Sequence, residues 1–583
     1  MQKPALSPDI VFGTALLNHL IRLYNLRITY IDQDIWIWDD DVAGAYREPK
    51  YNPAVASAFA FAVLDWLFLP TGGVFGSNTS PQEYEVYARA RAFLAKSLSR
   101  KEDLVQKHSK ILDLVQFDTE PHPDKVTFVQ AKADSLNPGV LDPDTGLSVE
   151  TPHFPFVDDS LMADILKYIK IAMAASLESL YLTLAFPEET KRRSPLSLDK
   201  FYQAKCSWVK EQLGLIINTR DMTISLPQAK IDRLLKMLDT TWHTNRKTFT
   251  LMEGTVLLGF LEHAAQICPW GRYLYGTLRH SVNLCLKQAI TSVKNRKHVQ
   301  DMLQLARDAP SPEARDLITS FQEKKIAKEV YACKLKFFIT SELRSELEYL
   351  RKILLSPKTH PWVGHIGHIV PRIPTFVTFG DSSLQGAGGY SLDLKFWWHL
   401  KWPPEIQKLT MKEYVLLVRD HLTGDLISIN LLEFATAIIN YAACLAALES
   451  DPTLVSSDNP HPVLLNWSDN ATTNSWLKKT AYHSPKHRAL SRILCSLRMD
   501  SMLGLNADYI STTDNFMADD ISRLETFTHD ASYDSLLQKY PQLRSCQIFH
   551  PSQELCSSLY TGLLVGAKVG YNRPRTLGHF TVE

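Results

Sequence analysis

The chain has 583 residues, 45% hydrophobic and 22% charged, a length that suits roughly three to four globular domains and argues against one compact core. Lys plus Arg and Asp plus Glu both total 63, so no net basic charge marks a polyanion partner, and any grip on nucleic acid must come from local clustering. The eight cysteines, Cys206, Cys268, Cys285, Cys333, Cys444, Cys495, Cys546 and Cys556, include no C-x-x-C pair, which argues against zinc ribbons and a disulfide framework and fits a reducing compartment.

The N-terminus carries no charged-then-apolar signal pattern, and the stretch read as most apolar, Ala56 to Pro70, is interrupted by Asp65 and too short to span a bilayer. The expectation is a soluble intracellular chain, in cytoplasm or nucleus, neither secreted nor membrane-bound. From Ile28 to about Asp239 short β-rich runs alternate with helical stretches, which predicts a mixed α+β first domain over 1–239. Within it, 118–152 is rich in Asp, Pro, Gly and His and reads as a loop insertion.

Residues 240–355 have helical spacing with basic side chains at Arg279, His280, Lys287, Lys294, Arg296 and Lys297. Such a face could touch phosphates, although a solvated helix surface is the commoner explanation. A Pro-, Gly- and His-rich linker is expected over 356–374, then a second α/β domain over 375–524, then a tail over 525–583 with no assignable chemistry.

Two sets of acidic residues carry the chemical signal. Nucleotidyl transfer by two magnesium ions needs carboxylates that converge from the ends of adjacent strands. The segment WDDDVAGAY offers Asp41 and Tyr46, and HFPFVDDS offers Asp158 and Asp159 at an expected hairpin tip. Three acids in a row are, taken alone, more often a solvated turn. Between them LPTGGVFGSNTSPQEY supplies Gly76, Ser80, Pro81 and Tyr84, with Ser80 and Pro81 placed to open a helix. Further on, EQLGLIINTRDMTISLP contains Leu213, Gly214, Asn218 and Leu226.

These four segments resemble, in order over about 200 residues, the motifs of reverse transcriptases. The resemblance implies a right-hand polymerase palm with a helical thumb or connection, Asp41 and Asp158 as shared metal ligands, Asp159 as a further catalytic carboxylate, and Tyr46 under the incoming sugar. Gly76, Ser80 and Pro81 would support template and nucleotide. About 40 residues precede Asp41, so most of the fingers region is expected to be missing.

The second set is Asp381 at the end of an alternating strand, Glu433 near the start of a long helical pattern, Asp469 after an apolar strand, and Asp519 within NFMADDISR. Cutting RNA within a hybrid again calls for two metals held by about four carboxylates. The order resembles a ribonuclease H-like domain, and N-x-x-A-D-x-x-S-R nominates Asp519 over Asp520, which reads as a helix-surface charge. The resemblance implies two Mg2+ ions per site, with Mn2+ as a substitute. It also implies RNA template, DNA primer, RNA/DNA hybrid and deoxynucleotides as partners, beside other retroelement products. INTRDMTISLP and FHPSQELCSSLYTGLL resemble most closely the DIRS-like, tyrosine-recombinase retrotransposons. The rival expectation is a truncated, inactive remnant that only binds nucleic acid.

Overall fold

The computed structural model describes residues 14–31, 33–43, 45, 61–63, 66–68, 80–118, 150–184, 194–197, 200–201, 205–308, 311, 315, 322, 325–355, 362–410, 426–455, 461–479, 484–499, 501–524, 531–565 and 573–581. The chain forms two compact units of mixed α/β structure: Met1–Pro227 with His365–Arg372, and Gln228–Gly364 with Ile373–Glu583.

In the first unit, helix α1 (Ala15–Thr29) is followed by strand β1 (Ile35–Asp41), helix α2 (Ser80–Leu98), strands β2 (Phe154–Phe156) and β3 (Asp159–Ile165) and helix α3 (Leu166–Leu184). The three strands form one antiparallel sheet in the order β1-β3-β2. Period-2 alternation sorts its two faces. Trp38 and Met162, paired across the sheet, join the core made with α2 and α3, whereas Leu161 packs with Phe154 and Ala15 of α1. A meander follows, β4 (Val209–Gln212), β5 (Leu215–Asn218) and β6 (Thr223–Ser225). Its first turn is Leu213-Gly214, both with positive φ (50° and 72°), the backbone that a two-residue hairpin favours.

The second unit opens with helices α4 (Gln228–Thr240), α5 (Leu251–Ala264), α6 (Gly276–Lys294), α7 (Lys297–Arg307) and α8 (Ser341–Leu355). Buried Glu346 of α8 accepts the N–H groups of Thr277 and Leu278, capping the start of α6. The sheet follows: β7 (Phe376–Ser382), β8 (Gly386–Ser391), β9 (Phe396–Lys401), helix α9 (Ile429–Ser450), β10 (Val463–Ser468), helices α10 (Ala471–Lys479) and α11 (Pro485–Met499), β11 (Gly504–Tyr509) and helix α12 (Phe516–Ser522). Strands β7, β8 and β9 are antiparallel neighbours, while β10 runs parallel to β7 and β11 parallel to β10.

Helix α13 (Ala531–Lys539), β12 (Gln547–Pro551), α14 (Gln553–Val565) and β13 (Gly578–Thr581) complete the unit. The segment 525–583, to which the sequence assigned no chemistry, adds to the sheet. Its strand β12 pairs parallel with β9, and β13 pairs with β12, so that the sheet has seven strands. The helices of 240–355 also cluster with this sheet, and His365–Arg372, expected within a linker, belongs to the first unit.

Ala56 to Pro70 lies mostly outside the described residues, and among those described the long apolar helix is α9. With a mean hydropathy of 1.7 it is long and apolar enough to cross a membrane, yet 94% of that window is buried inside the protein. Glycine lets α9 lie on the sheet: a Cβ at Gly380 would meet the Asn440 amide at 2.7 Å, and one at Gly389 would overlap Asn440 and Trp398. Asn440 is buried and satisfied there. It donates to Asn466 of β10 at 2.9 Å and accepts from the Trp398 indole at 2.8 Å.

Candidate metal centre and a second carboxylate cluster

Asp381 is the next-to-last residue of strand β7, and Asp469 directly follows the last residue of β10. Because the two strands are parallel neighbours, their C-terminal ends bring both carboxylates to one edge of the sheet. Glu433 lies in the first turns of α9, whose position on Gly380 directs it to the same place. Among the described residues, Asp381, Glu433 and Asp469 are the one set of three potential ligands whose atoms all lie within 4.8 Å of one another.

Neutral groups hold these carboxylates. Ser522 donates its hydroxyl to Asp381 Oδ2 at 2.7 Å, Thr512 to Asp469 Oδ2 at 2.8 Å and Ser468 to Glu433 Oε2 at 3.4 Å. The backbone N–H of Ser382 adds a bond to Glu433 Oε1 at 3.1 Å. Burial, with the nearby Asp469 and Asp519 charges, pushes the Asp381 carboxyl up to about 6. Burial and the neighbouring Asp381 raise Glu433 well above the ordinary carboxylate range. Two buried acids and a half-buried third, held by uncharged donors, keep their negative charge largely uncompensated, which fits a hard divalent cation that prefers oxygen ligands.

Asp519, the expected fourth carboxylate, lies on α12, beside but outside this set. It pairs at 2.6 Å with the exposed guanidinium of Arg523 one turn on, and its charge acts on Asp381. Helix α12 approaches because β8 is glycine-rich: a Cβ at Gly388 would meet the Ser522 N–H at 2.8 Å, and one at Gly386 the Ser522 carbonyl at 2.9 Å. Asn515, at the start of α12, donates to the Gly380 carbonyl at 3.1 Å and fastens the helix to β7. Asp520 lies apart, bonded to Lys539 and Tyr540, as a surface charge of α12.

The first unit brings a different group together. Asp41 and Asp159 are directly opposed in the β1–β3 register, and Asp158 precedes Asp159 in the hairpin turn. In that turn Val157 has φ 59°, a left-handed conformation that a β-branched side chain adopts only at a cost in strain. The WDDD run is a strand end rather than a solvated turn, and each acid there has a cation. Asp40, on the core face, pairs with Arg91 and accepts from Ser176 at 2.6 Å. On the opposite face Lys210 holds Asp39 at 2.6 Å and Lys200 holds Asp41 at 2.7 Å.

Burial first, then Asp158 and Asp41, push Asp159 up to about 7, and burial with Asp41 raises Asp158. Asp41, Asp158 and Asp159 do not reach the mutual closeness of the second cluster. Lysine ammonium groups here carry the compensation that a metal would otherwise supply.

Tyr46 and Gly76 lie outside the described residues. Ser80 and Pro81 open α2, their side chains likewise outside the description, and Tyr84 is buried in the core of the first unit. Lys200, Lys210, Thr512 and Ser468 were not singled out from the sequence. Their roles depend on partners far along the chain, and no local spacing marks them. Ser522 and Asn515 lie inside the NFMADDISR motif and could have been flagged by it.

No protein-family model matches the chain, and no curated protein matches it. Solved structures similar to it include those of foamy viral protease-reverse transcriptase. A foamy viral protease-reverse transcriptase in complex with RNA/DNA hybrid is 12% identical with a TM-score of 0.30, over 88% of this chain and 47% of that one. The dRH form of that protein with ds DNA is 11% identical, TM-score 0.30, over 83% of this chain and 58% of that one. A third, with dsDNA, is 13% identical, TM-score 0.29, over 82% of this chain and 68% of that one. The chain thus spans about half the length of the first of these.

Proposed function

We propose that the second unit is a metal-dependent nuclease that cuts the RNA strand of RNA/DNA hybrids, within a reverse-transcriptase-type polypeptide of a retrotransposon. The observation that carries this reading is the convergence of Asp381, Glu433 and Asp469 within 4.8 Å at one end of the sheet. Further support comes from the arrangement around it. Antiparallel β7, β8 and β9 with parallel β10 and β11 beside them, Glu433 on a helix over the sheet and Asp519 on a second helix are in keeping with a ribonuclease H-like domain, to which β12 and β13 would be additions.

Asp381, Glu433 and Asp469 would hold the cations, with Asp519 as a fourth carboxylate. Bound Mg2+, or Mn2+ in its place, supplies an activated water and stabilises the leaving oxygen. The chain's own groups orient the carboxylates through Ser522, Thr512, Ser468 and the Ser382 N–H. Recognition of the hybrid would rest on 2′ hydroxyls and minor-groove shape rather than base sequence.

The reading extends to the first unit as a polymerase palm for RNA template, DNA primer and deoxynucleotides, with Asp41, Asp158 and Asp159 as its catalytic carboxylates. The opposition of Asp41 and Asp159 across β1 and β3 and the strained Val157 turn favour it, while the pairing of Asp41 with Lys200 opposes it. The strings INTRDMTISLP and FHPSQELCSSLYTGLL support a DIRS-like origin.

The test is a pair of assays with Mg2+: cleavage of a labelled RNA/DNA hybrid and extension of a DNA primer on poly(rA). Hybrid cleavage abolished by Asp381→Asn supports the nuclease, and extension abolished by Asp41→Asn supports the palm. Absence of both activities in the unaltered protein would favour a remnant that only binds nucleic acid.

A further inference from the structure

The two carboxylate clusters differ in what holds them. In the first unit Lys200 pairs with Asp41 and its charge also acts on Asp158 and Asp159, while the neighbouring Asp39 and Asp40 are matched by Lys210 and Arg91. In the second unit Asp381, Glu433 and Asp469 are each held by a hydroxyl, from Ser522, Ser468 and Thr512. A hydroxyl orients a carboxylate without neutralising it, and a lysine or arginine does both.

Thr512 is well placed for this. It sits in the turn between β11 and α12, which is closed by Asp514 N–H and Asn515 N–H on the Ser511 carbonyl at 2.9 and 3.0 Å. The Ser511 hydroxyl bonds the Asp514 carboxylate at 2.5 Å, and Asn515 ties the turn to β7. Thr512 itself is exposed, so its side chain serves no core packing, yet its hydroxyl reaches Asp469 across 43 residues of sequence. Ser522 is its buried counterpart. Its oxygen lies 2.7 Å from Asp381 Oδ2 and 2.9 Å from the Asp519 carbonyl, and its single proton goes to the charged acceptor.

We propose that Thr512 and Ser522 are positioning residues whose hydroxyls fix Asp469 and Asp381 for a divalent cation while leaving the cluster's charge for that cation. This rests on the metal reading above. Partners of metal ligands typically contribute tenfold or more to affinity when they orient the ligand.

The test is Mn2+ binding to the full chain, followed by the electron paramagnetic resonance signal of free Mn2+, with circular dichroism as the check of folding. Thr512→Val should weaken binding by about tenfold, Thr512→Ser should restore it, and Thr512→Lys, which places a cation on Asp469, should abolish it. Ser522→Ala should act as Thr512→Val does. Equal affinity of Thr512→Val and the unaltered protein, or failure of Thr512→Ser to restore binding, overturns the inference and leaves the metal site standing. No binding by the unaltered protein defeats the metal site itself.

Discussion

Glu433 accepts the backbone N–H of Ser382, the residue after Asp381, at 3.1 Å, so the carboxylate on α9 is bonded to the strand end that carries the next carboxylate. The strand end thus fixes the acidic side chain of the helix. Glu433→Gln keeps an acceptor for that N–H but removes the charge. It is expected to leave the circular dichroism spectrum unchanged, to raise the thermal midpoint in chelator at neutral pH because burial and Asp381 disfavour an ionised Glu433, and to lower hybrid cleavage at least about a hundredfold, as for other groups that act on transition-state charge.

The pH dependence follows from Asp381. Its folded-state pKa, about 6, lies above the ordinary carboxylate value because burial and its acidic neighbours disfavour the charged form. A raised carboxylate binds more protons folded than unfolded, so its ionisation destabilises the metal-free fold above about pH 6, and that penalty fades as the pH falls through the raised value toward 4. Asp381→Asn removes the penalty. In chelator the variant should melt above the unaltered protein at pH 8, with the gap closing by pH 4. Comparison of the two cancels the buried neutral histidines His19 and His399, whose pKa values burial lowers to about 4 and which destabilise both proteins alike in acid. A gap that widens toward pH 4 would show the sign to be wrong.

Glycine at position 388 is a condition of the site. A Cβ there would meet Ile521 and the Ser522 N–H, so Gly388→Ala must push α12 from β8. Overpacking of this kind costs roughly 1–3 kcal/mol, to be read from urea unfolding. The displaced helix would carry Ser522 and Asp519 away from Asp381, and Mn2+ affinity should fall with stability. Gly259, on α5, has nothing within reach of an added Cβ and serves as the control, with Gly259→Ala at or above the unaltered stability.

In the first unit, the Asp40–Arg91 pair is buried between β1 and α2. Removing one partner of such a pair typically costs about 3–5 kcal/mol because the other charge is left unpaired. Arg91→Met should show that loss in urea unfolding, and the double change Arg91→Met with Asp40→Leu should recover most of it. A double variant as unstable as the single one would mean that packing rather than charge sets the cost.

The sequence made some of this legible and not the rest, for physical reasons. Asp381 and Asp469 could be read because each lies at the C-terminal end of an apolar strand, Asp381 within its last two residues and Asp469 just after it, and Glu433 because helical periodicity fixes its place near the start of α9. The hairpin at Val157 was legible from its apolar-then-acidic pattern, and the opening of α2 at Ser80-Pro81 from the fit of proline to a first helical turn. The Lys200–Asp41 and Arg91–Asp40 pairs were not, since they join residues far apart in sequence and no local periodicity encodes such a contact. Strands β12 and β13 were missed because five- and four-residue segments at a sheet edge carry little pattern. The glycines of β8 were seen as small residues, but the two helices that need them became visible only in three dimensions.

The most direct test of the account is anomalous scattering from crystals of the full chain soaked in Mn2+. The account predicts a peak among Asp381, Glu433 and Asp469, about 2.1 Å from their carboxylate oxygens as for a hard octahedral cation, and its loss in Asp381→Asn. Crystals that take up Mn2+ elsewhere, with no peak among these three side chains, would contradict it.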